Sequence, residues 1–380
     1  MWRKYVIVGR GEAAAHGGRG YYPADIRKAY NIPHAFDGRG QSIGILEFSN
    51  GFSLADAHAF WRMHHITPPE VEFISVDGTR NDHGRSRVDQ EASLDLQWAG
   101  ALAPGARLLV YEAAGGRDYD SFSHAMANTL RYILADTEHA PCVLSISYGD
   151  AESSFGAAAI REWADLIAKL DAAGVTVCVA SGDQGAYGRH IAPQPGRPPH
   201  RNVDAPAGIP ACVAVGGTTL AMNGAETVWN NSGQGYGGAS GGGFSDVLAR
   251  PKAQKDLPGP DGRGVPDVAF NADPMTGYQI VFQDRSIVVG GTSVACPLMA
   301  AIVALANQAR AQDGMQPLTG LMHYLYRAAA DLRYHDITQG NNDYAGVKGY
   351  AAGPGWDACT GWGSLDAEVF IRVLRSVAAD

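Results

Sequence analysis

Residues 290–309 read GGTSVACPLMAAIVALANQA. A Gly-Gly turn leads into a serine, and the serine opens a long apolar run with the character of a buried helix. Ser293 is therefore expected at a helix N-terminus, where backbone N–H groups without intrahelical acceptors favour developing negative charge. A serine hydroxyl placed there is a nucleophile in waiting, but it is inert until a base takes its proton. The rest of the chain has to supply that base and the scaffold that carries both.

The scaffold is legible upstream. QSIGILEF (41–48), VEFISV (71–76), ARLLVYEA (106–113), CVLSISYG (142–149) and VTVCVASGD (175–183) are short apolar runs. Helical patterns alternate with them: PADIRKAYNI (23–32), SLADAHAFWRMH (53–64), EASLDLQWAGALAP (91–104), SFSHAMANTLRYILAD (121–136) and FGAAAIREWADLIAKLDAAG (155–174). Near-continuous apolar strands alternating with helices predict a mostly parallel sheet covered by helices on both faces, an α/β fold. Sites in such sheets gather at the carboxyl ends of the strands. The glycine-rich stretch NNSGQGYGGASGGG (230–243) reads either as a surface loop or as the border of a cleft.

The 380 residues fit a single large domain spanning 21–380, with 1–20 as a tail or residual linker. Hydrophobic residues make up 46%, enough for a sizeable core, and charged residues only 18%, below the roughly 25% of ordinary globular chains. A net charge of -9 argues against nucleic acid or an acidic membrane surface as a partner. No transmembrane helix is expected, and the N-terminus makes a poor signal peptide. The five cysteines include no CxxC pair, which argues against zinc. Their odd number leaves at least one outside any intrachain disulfide, and Cys296 reads as a packed thiol.

Two answers to the question of the base compete. GTSxAxP also surrounds the nucleophile of subtilisin-like proteases, whose base is a histidine, and His83 in NDHGRS is the candidate. The small apolar helix that should follow it is absent, however, and SGDQG (181–185) carries Asp where a subtilisin carries its oxyanion asparagine. The second answer is QEASLDLQW: Glu91 and Asp95, four residues apart, lie on one face of a predicted helix, about 5–6 Å apart at Cβ. The helix is otherwise apolar, so the pair is expected to be buried, and burial with mutual repulsion would make it share a proton. Taken alone, such a pair reads rather as a solvated acidic face on an ordinary helix, because such pairs are common. Asp183 follows an apolar strand in a Ser-Gly-Asp turn. Alone it is a turn residue, but beside Ser293 and the acid pair a protonated Asp183 could donate to an oxyanion.

These four pieces, in this order, resemble the sedolisin family of serine-carboxyl peptidases. The likeness runs from YYPADIRKAYNIP (21–33) to GWDACTGWGS (355–364), through GQSIGILEF, APGA, SISYG, ASGDQGA, AVGGT, SGGGFS, GVPDVAFNADPMTGY and GGTSVACP. The resemblance implies a subtilisin-like fold and an acid-active endopeptidase acting on protein or peptide substrates through an acyl-enzyme. In it Ser293 is the nucleophile, Glu91 the general base, Asp95 its orienting partner and Asp183 the oxyanion acid. Glu47 matches a further acid of some members. Tyr148 stands where those members carry Trp, so both an extended hydrogen-bond network and a purely structural Tyr remain open. HDITQG (335–340) and AGPGWD (352–357) resemble the family's calcium site, which implies one structural Ca2+ held by Asp336, the carbonyls of Ile337, Gly353 and Gly355, and Asp357. An oxygen set of this kind suits calcium. The family further implies a monomer, an extracellular or otherwise acidic compartment, and a prosegment, which is not visible in this chain. A catalytically silent member that binds peptides or a partner in the same cleft is the competing expectation.

Overall fold

The computed structural model describes residues 7–8, 20–189, 200–234 and 237–377. After α1 (Pro23–Ala29) come β1 (Ser42–Glu47), α2 (Leu54–Met63), β2 (Val71–Ser75), α3 (Gln90–Leu102), β3 (Arg107–Glu112) and α4 (Tyr119–Ala135). They are followed by β4 (Val143–Ile146), α5 (Ala157–Ala172), β5 (Thr176–Ala180), β6 (Cys212–Leu220), β7 (Glu226–Val228) and β8 (Val268–Asn271). A hairpin of β9 (Tyr278–Phe282) and β10 (Arg285–Gly290) then leads into α6 (Thr292–Gln312).

The central sheet runs β7-β6-β5-β4-β1-β3-β2, with β8 paired to β6. Every pairing is parallel except that of β7 with β6. This is the mostly parallel sheet that the strand–helix alternation predicts.

Side-chain alternation along the strands divides the interior into two cores. Ile43, Ile45, Leu108, Val110, Val143 and Cys178 face α3 and α6, whereas Leu46, Leu109, Leu144, Ile146 and Val177 face α4 and α5. The same parity puts Glu47 and Glu112, the last residues of β1 and β3, on the α3 and α6 face. The strand order reverses about β1, which lies between β4 and β3. Such a reversal opens a crevice at the strands' carboxyl ends.

α6 is 21 residues long and apolar enough to cross a membrane by length and composition, and it is buried within the protein from Thr292 to Arg310, as the sequence reading of a buried helix expects. Its apolarity all round comes from packing against α3, the C-terminal helix Ala367–Leu374 and the sheet at once. Within the stretch expected as a tail, Ile7–Val8 pairs antiparallel with β10; residues 1–6 and 9–19 lie outside the described residues.

Candidate active site

The turn into α6 requires glycine. Gly291, its N-cap, has φ +122, and a Cβ on Gly290 would come within 2.5 Å of the Pro274 nitrogen. Ser293 follows as the second residue of the helix, completely buried, and its Oγ has no hydrogen-bond partner among the described residues. Pro297, four residues on, has no N–H to give to the Ser293 carbonyl. The Ser147 hydroxyl, just beyond β4, donates to that carbonyl instead at 3.3 Å. The helix start is thus held by a side chain from the neighbouring strand end.

Asp183 lies three residues beyond β5, in a turn where Gly182 has φ +105 and a Cβ would meet Asp204 Oδ2 at 2.3 Å. Asp183 Oδ1 accepts from the Thr292 N–H at 2.8 Å and from the Thr292 hydroxyl at 2.9 Å. The same hydroxyl accepts from the Gly182 N–H at 3.1 Å. Asp183 Oδ2 is buried without a hydrogen-bond partner among the described residues. Burial raises the carboxyl to about 8 against the opposing pull of the two Thr292 hydrogen bonds. At acidic pH it is therefore a neutral acid, with one oxygen engaged as acceptor and the other able to carry a proton for donation.

The glycine-rich stretch closes over this turn: the Ala239 N–H donates to Asp183 O at 3.0 Å and the Gly241 N–H to Gly182 O at 2.7 Å. Its ends therefore border the candidate site; Gly235 and Tyr236 lie outside the described residues.

Glu91 and Asp95 are both completely buried on α3, which is buried from Glu91 to Leu102 and packs along α6. The reading of the pair as a solvated acidic face is thereby overturned. Asp95 acts electrostatically on the Cys296 thiol, one turn of helix past Ser293, and Glu91 on the Tyr148 phenol. Neither carboxylate is hydrogen-bonded to Ser293 Oγ. The Tyr148 hydroxyl donates to Glu47 Oε2 at 2.7 Å, and both residues are wholly buried. Cys296 is a buried free thiol, raised above its ordinary range chiefly by burial and in contact with Ser145 Oγ at 3.3 Å.

Sequence reasoning passed over three residues here. Thr292 sits beside Ser293 in the quoted motif, Ser147 lies within SISYG, and Glu112 ends an apolar strand just as Glu47 does. His83, by contrast, is exposed at φ +64 on its loop and takes no part in this cluster.

The implied calcium residues form a separate group. Asp336 Oδ2 accepts from the Gly355 N–H at 2.9 Å and Asp357 Oδ2 from the Gly353 N–H at 3.1 Å. Among the described residues no N–H is donated to the carbonyls of Ile337, Gly353 or Gly355. Two carboxylates from adjoining loops and three uncommitted carbonyls make a donor set that fits a hard, oxygen-seeking ion.

A model of the subtilase family matches residues 78–363. The chain belongs to the subtilase family. It is 38% identical to kumamolisin of Bacillus sp. (strain MN-32) over 94% of this chain and 63% of that protein. It is 31% identical to sedolisin of Pseudomonas sp. (strain 101) over 96% and 62%, and 31% identical to human tripeptidyl-peptidase 1 over 93% and 64%. The chain thus spans less than two thirds of the length of these relatives. The structure superposes on Pseudomonas sedolisin, described as a serine-carboxyl proteinase and solved with pseudo-iodotyrostatin, with a TM-score of 0.79 and 28% identity. That match covers 94% of this chain and 99% of the other. The sedolisin resemblance and the subtilisin-like fold read from the sequence are borne out.

Proposed function

We propose that this subtilase is an acid-active serine-carboxyl endopeptidase. The observation that carries the reading is Asp183: a buried acid raised to about 8, tied through Thr292 to the first turn of the Ser293 helix, with one oxygen left for donation. Ser293 Oγ attacks the scissile carbonyl while Glu91 takes its proton, a step that requires the hydroxyl to rotate toward α3 from its present unbonded position. The developing oxyanion receives the Asp183 proton in a hydrogen bond, and the Ser293 N–H, without an intrahelical acceptor in the first turn, lies beside it. Glu91 then returns its proton to the leaving amine, and water resolves the acyl-enzyme by the same route. Asp95 orients Glu91, and Glu47 with Tyr148 supports it from the sheet side.

The same reading assigns one structural calcium ion to Asp336, Asp357 and the carbonyls of Ile337, Gly353 and Gly355. When bound, it would pin the two C-terminal loops. It also assigns protein or peptide substrates, a prosegment and an acidic, extracellular or comparable compartment.

The test is the pH dependence of cleavage of a denatured protein by the wild type and by Glu91→Ala. An acidic optimum that collapses in the variant is expected. A neutral or alkaline optimum, or undiminished turnover in the variant, overturns the mechanism. Internal fragments identify an endopeptidase, whereas successive tripeptides from the N-terminus would align the chain with the tripeptidyl-peptidase relatives. No cleavage at about pH 4, near the reference carboxyl values, by folded, calcium-supplied protein would favour a silent peptide binder. The presence of a side chain of the right kind at all four key positions argues against that outcome.

A further inference from the structure

Glu112 closes β3 as Glu47 closes β1, and the two are in-register partners on neighbouring parallel strands. Residues paired in this way point to the same face of a sheet about 4.8 Å apart. Both are completely buried, on the face that α3 covers. The Tyr148 hydroxyl donates to Glu47 Oε2 at 2.7 Å, and the Ser49 hydroxyl to Glu112 Oε2 at 3.1 Å. The Tyr148 phenol is held well above its ordinary range by burial first, and then by the charges of Glu47, Glu91 and Glu112. One hydroxyl therefore feels three carboxyls: Glu47 from β1, Glu112 from β3 and Glu91 from α3. Asp95 lies one turn farther along α3. Of other acids, Asp77 beyond β2 has its carboxylate engaged by the Thr79 hydroxyl and the N–H groups of Thr79 and Ala114, and buried Asp89 at the start of α3 accepts from the Ser86 N–H.

We propose that Glu112 is a positioning residue for the catalytic carboxylates: it shares one proton with Glu47, and the pair sets the charge that Glu91 meets across Tyr148. The proposal rests on the reading of Glu91 as general base. Two carboxyls this close and this deeply buried do not both ionise, so one proton stays between them. Hydroxyl donors from Ser49 and Tyr148 stabilise the single negative charge that remains. A second charge there would favour the protonated form of Glu91 and remove the base. A neutral pair would leave Tyr148 without the acceptor that fixes its orientation.

The experiment compares Glu112→Gln, Glu47→Gln and the double variant with the wild type. Each single variant is expected to lower kcat about tenfold with little change in KM, and the double variant to be no worse than the poorer single one, as for residues that act as a unit. Losses that multiply in the double variant overturn the proposal. The second readout is independent of activity. At about pH 6, above the reference carboxyl range, the infrared carbonyl band of a protonated carboxyl is recorded in an Asp183→Asn background, which removes the contribution of Asp183. Loss of the same component of that band in both Glu112→Gln and Glu47→Gln supports the shared proton, and an unchanged band in Glu112→Gln overturns it. If the wild type shows no Ser293-dependent hydrolysis, the functional reading falls, and the infrared comparison alone decides whether the pair exists.

Discussion

The molecule holds two carboxyl clusters that reach opposite protonation states. At the N-terminal edge of the sheet, Glu72 meets Arg107 and His139, and Asp136 takes the His139 ring nitrogen at 2.7 Å and the Tyr111 hydroxyl at 2.9 Å. Burial pushes both acids up, but these cationic and hydrogen-bond partners outweigh it, so each is held below its ordinary range. At the carboxyl ends of the strands, Asp183 is completely buried with a threonine as its hydrogen-bond partner, and burial prevails. The titrating group is a carboxyl in both places. The partner, a cation or a neutral hydroxyl, decides whether the group is an anion or an acid, and only the second can donate to an oxyanion at low pH.

The largest way to break this contrast is to remove the chemistry it serves. Ser293→Ala is expected to lower kcat by about 10⁴–10⁶, measured in single turnover. Next comes Asp183. Asp183→Ala should cost about 10²–10³ in kcat. In Asp183→Asn the amide oxygen can still accept from Thr292 while the amide N–H replaces the donated proton, so most of the rate should remain and the loss of rate that deprotonation of Asp183 causes should disappear.

The same residue makes a stability prediction. Its folded pKa is raised, so the folded state keeps a proton that the unfolded chain releases near the reference value of about 4. That contribution is full below this value and is lost as pH rises toward about 8. Between pH 5 and pH 8 the melting temperature should therefore fall less in Asp183→Asn than in the wild type.

Smaller effects belong to the surface cluster. His139 is pushed down by burial, but its hydrogen bonds to Asp136 and Glu72 prevail and hold it above the ordinary histidine range. Its contribution is present below the unfolded value and is lost as pH rises through the folded one. His139→Ala should lower the melting temperature by about 1–3 °C at pH 5 and by less at pH 8. Chelation should also lower the melting temperature, and Asp336→Asn should abolish that sensitivity. An EDTA-insensitive wild type would count against the calcium assignment.

The sheet and its helices were legible because apolar runs and helical spacing alternate without interruption up to Ala180. Ser293, Asp183 and the Glu91/Asp95 pair were legible because each is a polar residue set against an apolar element. Glu112 was not, because its significance depends on β3 lying beside β1, and strand neighbours in a parallel sheet are not written in local sequence. Thr292 was overlooked for the opposite reason: it stands so close to the nucleophile that it reads as part of the motif. α6 was legible as a buried helix because its apolar residues continue all round, with Asn307 and Gln308 near its end.

The Thr292 hydroxyl accepts from the Gly182 N–H and donates to Asp183, while the Thr292 N–H binds the same carboxylate. The helix that carries Ser293 and the turn that carries Asp183 therefore share one mechanical reference. A shift of α6 would carry the turn at 182–183 with it. Ser293 and Glu91 lack such a tie: they sit on separate helices, α6 and α3, and no hydrogen bond joins the Ser293 hydroxyl to the Glu91 carboxylate among the described residues.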